Sequence, residues 1–302
     1  MSDMQGDIFV SVTTYGNEID FISAFLGALR PTMITTRIAL GIEYHGSPYC
    51  GWQSQLSGCA VQNHLERALQ LFLGVEVSVV CAGRTDTGVH GLAQVVHLDT
   101  NIERDERAWV RGTNTHLPPT IRVLWAKKVP DDFHARFSAR SRTYHYLLLN
   151  DPTSSAILTG LVGWFHAPLA LAPMQQAALI LAGEHDFSAF RAAECQAKSP
   201  VKTLYEVTVS PAASPLSAEQ SFIKFSFRGN AFLHHMVRNI VGSLVYVGAG
   251  RQSIEAFQTI FESRDRTRAA PTFAPDGLYL TAIEYDASFD LPAISARIPF
   301  FN

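Results

Sequence analysis

Cysteine is scarce in this chain of 302 residues: Cys50, Cys59, Cys81 and Cys195 are the whole complement. No two have C-x-x-C spacing, so neither a zinc knuckle nor a redox pair is signalled. So few in so long a chain fit a reducing compartment better than a disulfide scaffold. Charge is also low, at 17% of residues, while 47% are hydrophobic; that combination excludes a solvated, disordered chain. No long apolar run is present. The longest mainly apolar stretch, 240–250, is too short for a bilayer, which needs about 20 residues. The N-terminus lacks the positive charge of a signal peptide, carrying Asp3, Asp7, Glu18 and Asp20 before a short apolar run at 21–29. These absences predict a soluble cytoplasmic protein with no membrane segment.

An excess of bases is missing too. The 24 bases stand against 27 acids, a formal net charge of −3, which excludes a generally basic nucleic-acid coat. The distribution is uneven, however. Residues 1–36 hold four acids and one base, Arg30. Residues 101–150 hold nine bases and five acids, and 191–270 hold ten bases and six acids. Local field rather than total charge steers a polyanion, and 19 of the 24 bases are Arg, whose planar fork matches phosphate. Codon bias towards Arg is the plain alternative.

Residues 1–36 are acidic and without periodicity, and read as a poorly ordered tail; Met33 is an alternative start. From Arg37 the pattern becomes regular. A strand is expected over 37–44, a helix over 60–73 with Val61, Leu65, Leu69 and Phe72 at helical spacing, strands over 75–82 and 92–98, a short helix over 104–111 and a strand over 121–129. The second part repeats this order: strand 143–149, helix 174–182, strands 202–209 and 222–228, a long helix over 231–247 with a shorter one at 254–261, and a strand at 278–284. Each part is a β-α-β-β-α-β unit of the split, ferredoxin-like kind. The expected fold class is therefore α+β, with halves 37–140 and 141–302 joined edge to edge around a central cleft, a common place for a site.

Three segments carry candidate chemistry. Gly83-Arg84-Thr85-Asp86-Thr87-Gly88-Val89-His90 places two glycines as a P-loop does, but lacks the Lys and Ser/Thr that follow in a P-loop and leads into a strand. It presents Arg84, Thr85 and Asp86 on a tight loop, which taken alone is an ordinary turn. The apolar helix expected over 231–247 carries Arg238, and a guanidinium there calls for an anion. Asp86 is a candidate partner; a neighbouring Arg would keep it ionised, as a carboxylate nucleophile requires. His234 and His235, one helical step apart, point about 100° apart and cannot readily chelate one ion, so no metal site is expected. Third, 133–146 interleaves bases and aromatics, and strand alternation puts Arg142, Tyr144 and Tyr146 on one face. Arg can hold phosphate while a ring stacks on a base; a half-buried core strand is the plain alternative.

Together these segments resemble the TruA-type tRNA pseudouridine synthases. The matching stretches are Ala39-Leu40-Gly41-Ile42-Glu43-Tyr44 with Gly51-Trp52-Gln53, the Gly83–His90 loop, Phe133-His134-Ala135-Arg136-Phe137-Ser138-Ala139, Arg142-Thr143-Tyr144-His145-Tyr146, Phe232-Leu233-His234-His235-Met236-Val237-Arg238-Asn239-Ile240-Val241-Gly242 and Gly277-Leu278-Tyr279-Leu280. Thr87 stands where the family more commonly has Ala, and 1–36 has no counterpart. The resemblance implies two ferredoxin-like halves in one large antiparallel sheet, and isomerisation of uridine to pseudouridine at positions 38, 39 and 40 of the tRNA anticodon stem-loop. It implies a cofactor-free, metal-free homodimer. By motif, Asp86 would be the nucleophile and Arg238 its partner. Tyr144 would stack on the target base, Arg84 would fill the space left by the flipped nucleotide, and Leu278 would line the base pocket; Arg142 joins them as a substrate-binding candidate.

Two rival readings are weaker. A binding-only RNA module would carry an aromatic RNP strand, which Phe225-Ser226-Phe227-Arg228-Gly229-Asn230 resembles only superficially. An N-glycosidase would ordinarily want paired carboxylates, and the Asp86 loop offers one.

Overall fold

A computed structural model describes residues 35–213, 221–292 and 298. The chain divides into units 1–35 and 36–302, and every described strand and helix belongs to the second. The expected tail lies outside the described residues, except for its last two positions, Thr35 and Thr36, the second of which opens the first strand.

The first half runs β1 (Thr36–Tyr44), α1 (Val61–Leu73), β2 (Val80–Cys81), β3 (His90–Thr100), α2 (Glu106–His116) and β4 (Ile121–Val129). In α1 the apolar residues Val61, Leu65, Ala68, Leu69 and Leu73 are buried, and Gly74 ends the helix in the left-handed region, its N–H donating to the Gln70 carbonyl. Asp105 caps α2 by accepting from the Ala108 N–H, and the helix runs on past the expected end to His116. The strand expected over 75–82 shrinks to two residues. The cause is local: Glu66 of α1 accepts the Val79 N–H at 3.0 Å and Gln62 donates to the Val79 carbonyl at 3.4 Å, so backbone groups that would pair in a sheet bond to helix side chains instead.

The second half runs β5 (Ser141–Asn150), β6 (Gly163–Phe165), α3 (Leu171–Leu179), β7 (Gly183–Asp186), β8 (Val201–Ala212), β9 (Ser221–Gly229), α4 (Met236–Gly248), α5 (Ile254–Ser263) and β10 (Leu278–Glu284). The short strands β6 and β7 are additions to the expected order.

The main path of the ten-stranded sheet is β4-β1-β3-β10-β5-β9-β8-β7. Its second half contains β10-β5-β9-β8, and the first half shows the same order as β4-β1-β3 with the stub β2 beside β3. The sheet is antiparallel except where β6 joins β5 and where the halves meet. The expected edge-to-edge joint is present, and there β3 and β10 pair in parallel through Tyr279↔His90 and Leu280↔Gly91. That edge of β3 is shared, with β10 at its N-terminal end and β2 farther along. The loop from β2 to β3, which carries Asp86, therefore emerges at the joint.

Two large cores lie under the helices. One packs Leu40, Leu65, Leu69 and Trp109 between the first-half sheet and α1 and α2; the other packs Met174, Phe187, Phe225, Ile240 and Leu244 against α3, α4 and α5. Leu147 and Leu149 enter a separate, smaller cluster from Tyr146 and Leu148, as strand alternation requires.

One further expectation changes. Cys50 and Cys59 form a disulfide. The intervening loop folds back so that the Cys50 N–H donates to the Cys59 carbonyl at 3.2 Å, with the Cα atoms 5.5 Å apart, inside the range a bridge needs. Cys81 and Cys195 are free.

Candidate active site

The Asp86 loop is held from three sides. The Val89 N–H donates to the Asp86 carbonyl at 3.1 Å, closing a turn whose third residue, Gly88, has φ 81°, a conformation for which such a turn uses glycine. The Thr85 hydroxyl pairs with the buried Tyr44 hydroxyl at 2.8 Å, and the Thr85 carbonyl accepts the Trp52 N–H at 3.0 Å. Gly51 packs there at φ 88°, where an added Cβ would lie 2.8 Å from the same carbonyl. Gln94 donates to the Gly83 carbonyl at 2.6 Å. The Ala39–Tyr44 and Gly51–Gln53 matches of the sequence are thus the loop's supports. At its end His90 accepts the Gly46 N–H on Nδ1 at 3.0 Å, which leaves Nε2 to donate to the Asp276 carbonyl at 3.0 Å, and its ring stacks on Tyr279 at 4.5 Å.

Asp86 and Arg238 meet as expected. Arg238 Nη1 donates to Asp86 Oδ2 at 3.1 Å, while its Nε donates to the Phe273 carbonyl at 2.9 Å. The carboxylate keeps 18% of its side-chain exposure and Arg238 14%, a partly buried pair open on one side. Arg84 and Thr87, either side of it, are exposed. No hydrogen bond or ion pair engages the Arg84 guanidinium among the described residues. Two cavities, of about 380 and 420 Å³, lie elsewhere, beside Trp109 and beside Trp125.

Tyr144 lies in β5 between Leu280 of β10 and Phe227 of β9. Its ring meets Phe232 edge-on at 5.0 Å, and a Cβ added at Gly83 would lie 3.7 Å from its hydroxyl, so the phenol reaches the start of the Asp86 loop. Burial, with the charge of Asp86 adding to it, pushes the phenol well above its usual pKa. Leu278 opens β10 opposite Tyr146 and is buried.

Arg142 does not join them at the surface. It is buried, and its guanidinium donates to four backbone carbonyls, of Ala139, Asn230, Ala82 and Arg136. Strand alternation placed it correctly, but a desolvated guanidinium needs acceptors, and here the backbone supplies them. Its bonds tie the 133–140 loop to the strand entering the Asp86 loop.

The largest departure concerns the histidines. The helix expected from 231 begins at Met236, because Leu233 and Met236 close a turn and His235 takes φ 60° as the N-cap. The two rings are consequently 4.0 Å apart rather than splayed by a helical step, and both face Asp86: His234 Nε2 lies 3.4 Å from Oδ1 and His235 Nε2 3.5 Å from Oδ2. Burial holds the His235 imidazole below its usual pKa despite the adjacent carboxylate. The apolar spacing runs unbroken from Phe232 to Val237, so periodicity had no means of showing the break.

This arrangement, one accessible carboxylate clamped by arginine at the joint of two ferredoxin-like halves, is that of an enzyme site on an α+β scaffold. A model of the tRNA pseudouridine synthase family matches residues 41–138 and 177–286, more than half of the chain. The chain belongs to this family of isomerases acting on tRNA. Among its relatives, the tRNA pseudouridine synthase A of Paraburkholderia phymatum is 55% identical over 261 residues, covering 86% of this chain and 95% of that protein. Those of Paraburkholderia xenovorans and Burkholderia mallei are each 56% identical, covering 85% of this chain and 93% and 92% of the respective proteins.

Proposed function

We propose that this enzyme converts uridine to pseudouridine at positions 38, 39 and 40 of the tRNA anticodon stem-loop, with Asp86 as nucleophile on a flipped-out uridine. The observation that carries the reading is the Asp86–Arg238 pair, 3.1 Å apart at the joint and open to solvent on one side. The reaction breaks the C1′–N1 bond, turns the uracil and joins C1′ to C5, while C5 loses its proton and N1 gains one, so that the product is an isomer of the substrate. A carboxylate suits this chemistry at either of two points, the sugar cation at C1′ or C6 of the ring. Arg238, fixed by the Phe273 carbonyl, holds the carboxylate in place.

A uridine within a stem must leave it first, at a cost of a few kcal/mol. Arg84, exposed near Asp86, fills the vacated space, and Tyr144, in the same core cluster as Leu278, offers the base a ring. Because its phenol stays protonated at neutral pH, Tyr144 acts as a proton donor or relay rather than as a standing base. Arg142 serves as a strut that positions the 133–140 loop. That loop presents Phe137, 75% exposed, stacked on His134 at 4.3 Å with the Arg136 guanidinium 5.6 Å from its ring centroid. Such a basic and aromatic surface suits unpaired nucleotides. The active form is a cytoplasmic homodimer that needs no cofactor.

Transcribed tRNAs carrying uridine at one anticodon-arm position at a time test the assignment. Pseudouridine is expected at 38, 39 and 40 and not at the other positions. Modification confined to another arm of the tRNA contradicts it.

A further inference from the structure

We propose that Asp86, His234 and His235 form a binding site for a transition-metal ion of the zinc type, and that the ion inhibits the enzyme by occupying the carboxylate. Ligand atoms of the three side chains all lie within 4.8 Å of one another. Zinc bonds nitrogen and oxygen at roughly 2.0–2.1 Å, so two ligands on a tetrahedral ion sit about 3.3–3.4 Å apart. The two histidine-to-carboxylate separations are already 3.4 and 3.5 Å. The first is to Oδ1 and the second to Oδ2, so His235 has to turn towards Oδ1 and the two imidazoles have to close; with 40% and 28% of their side chains exposed, both rings have the room to move.

The donor set selects the ion. Two imidazoles and one carboxylate suit Zn²⁺ or Co²⁺, whereas Mg²⁺ favours oxygen ligands in an octahedron. Arg238 does not fill the site, because its hydrogen bond goes to Oδ2 and an ion can take Oδ1 with the guanidinium in place. That cation nearby weakens the affinity relative to an isolated three-ligand site. His234 and His235 are partly exposed, so the ion enters from solvent without any opening of the fold. Its occupation of Oδ1 excludes attack on uridine; this inhibitory consequence rests on the nucleophile assignment for Asp86, while the binding itself does not.

The test separates the two. Chelator-stripped protein without tRNA is titrated with Co²⁺, whose visible absorption reports tetrahedral ligation, and Zn²⁺ is then added to displace it. One equivalent of Co²⁺ is expected to develop the bands. His234→Ala and His235→Ala, each checked by circular dichroism for an intact fold, should weaken binding at least about tenfold. In parallel, pseudouridine formation by the wild type should fall as Zn²⁺ rises over the range that displaces Co²⁺, recover with EDTA, and ignore equal Mg²⁺. Absence of the bands, or bands that persist in both variants, overturns the site. Bands that both variants lose, together with turnover indifferent to Zn²⁺, keep the site but overturn inhibition and count against Asp86 as nucleophile.

Discussion

Asp86 makes chemical sense only through its neighbours. Its turn is closed by Val89, braced by Tyr44 through Thr85 and faced by Arg238, so the carboxylate is presented rather than free to swing. Arg84 is different, since no hydrogen bond or ion pair among the described residues holds its guanidinium. Arg84→Ala should therefore reduce activity on a uridine in a stem by on the order of tenfold more than on the same uridine in a free loop, where no stacked partner must be displaced. Initial rates on the two RNAs check this, and equal losses would remove the wedge role. Tyr144→Phe keeps the ring and its contact with Phe232 but loses the hydroxyl. It should preserve tRNA affinity and lower turnover by about 10²-fold, the lower end of what a positioned proton donor contributes; single-turnover rates with saturating enzyme decide it, and a wild-type rate leaves Tyr144 as a platform alone. At this scale the sequence was highly legible. A lone arginine on an apolar helix called for an anion or a path to the surface, and the family motif pointed to Asp86 as the anion. The histidine cluster was not legible, because it depends on the left-handed backbone of His235.

At the scale of elements, the parallel joint of β3 and β10 is only two residue pairs long, and His90 reinforces it. Its imidazole bonds Gly46 on one side and Asp276 on the other while stacking on Tyr279. This geometry requires the neutral ring, and burial lowers its pKa to about 4. An unfolded histidine takes up its proton near pH 6.5. The folded-state pKa is thus depressed, so the stabilisation is complete above about pH 6.5 and shrinks as the pH falls from there towards 4. His97, which accepts the Ala135 N–H, and His145 are depressed to about 4 as well, also chiefly by burial, and act in the same direction. Melting temperature should drop between pH 7 and pH 5. His90→Gln, able to keep an acceptor and a donor, should drop by less, and an identical slope would show that His90 does not contribute. Most element boundaries were readable from spacing, β10 among them. Those that were not, the stub β2 and the late start of α4, were decided by side chains of α1 taking the Val79 backbone and by a turn that leaves the apolar pattern undisturbed.

For the whole molecule, two units of the same strand order share one sheet, and the duplication was visible as a repeated order of elements without any repeated sequence. What spacing does not contain is the direction of pairing at the seam, since β3 and β10 lie nearly 190 residues apart and meet over one short stretch. That seam matters because it brings a loop from the first half within 3.1 Å of a helix from the second, and neither half alone assembles the pair. Asp86 therefore matters to the reaction more than any other group. Its most direct test is single-turnover formation of pseudouridine by Asp86→Asn on a tRNA with uridine at position 39, with the bound fraction of tRNA measured on the same samples. Binding is expected to stay within about threefold of wild type while product formation falls by on the order of 10⁴-fold or more. Product at the wild-type rate with tRNA bound would contradict the account.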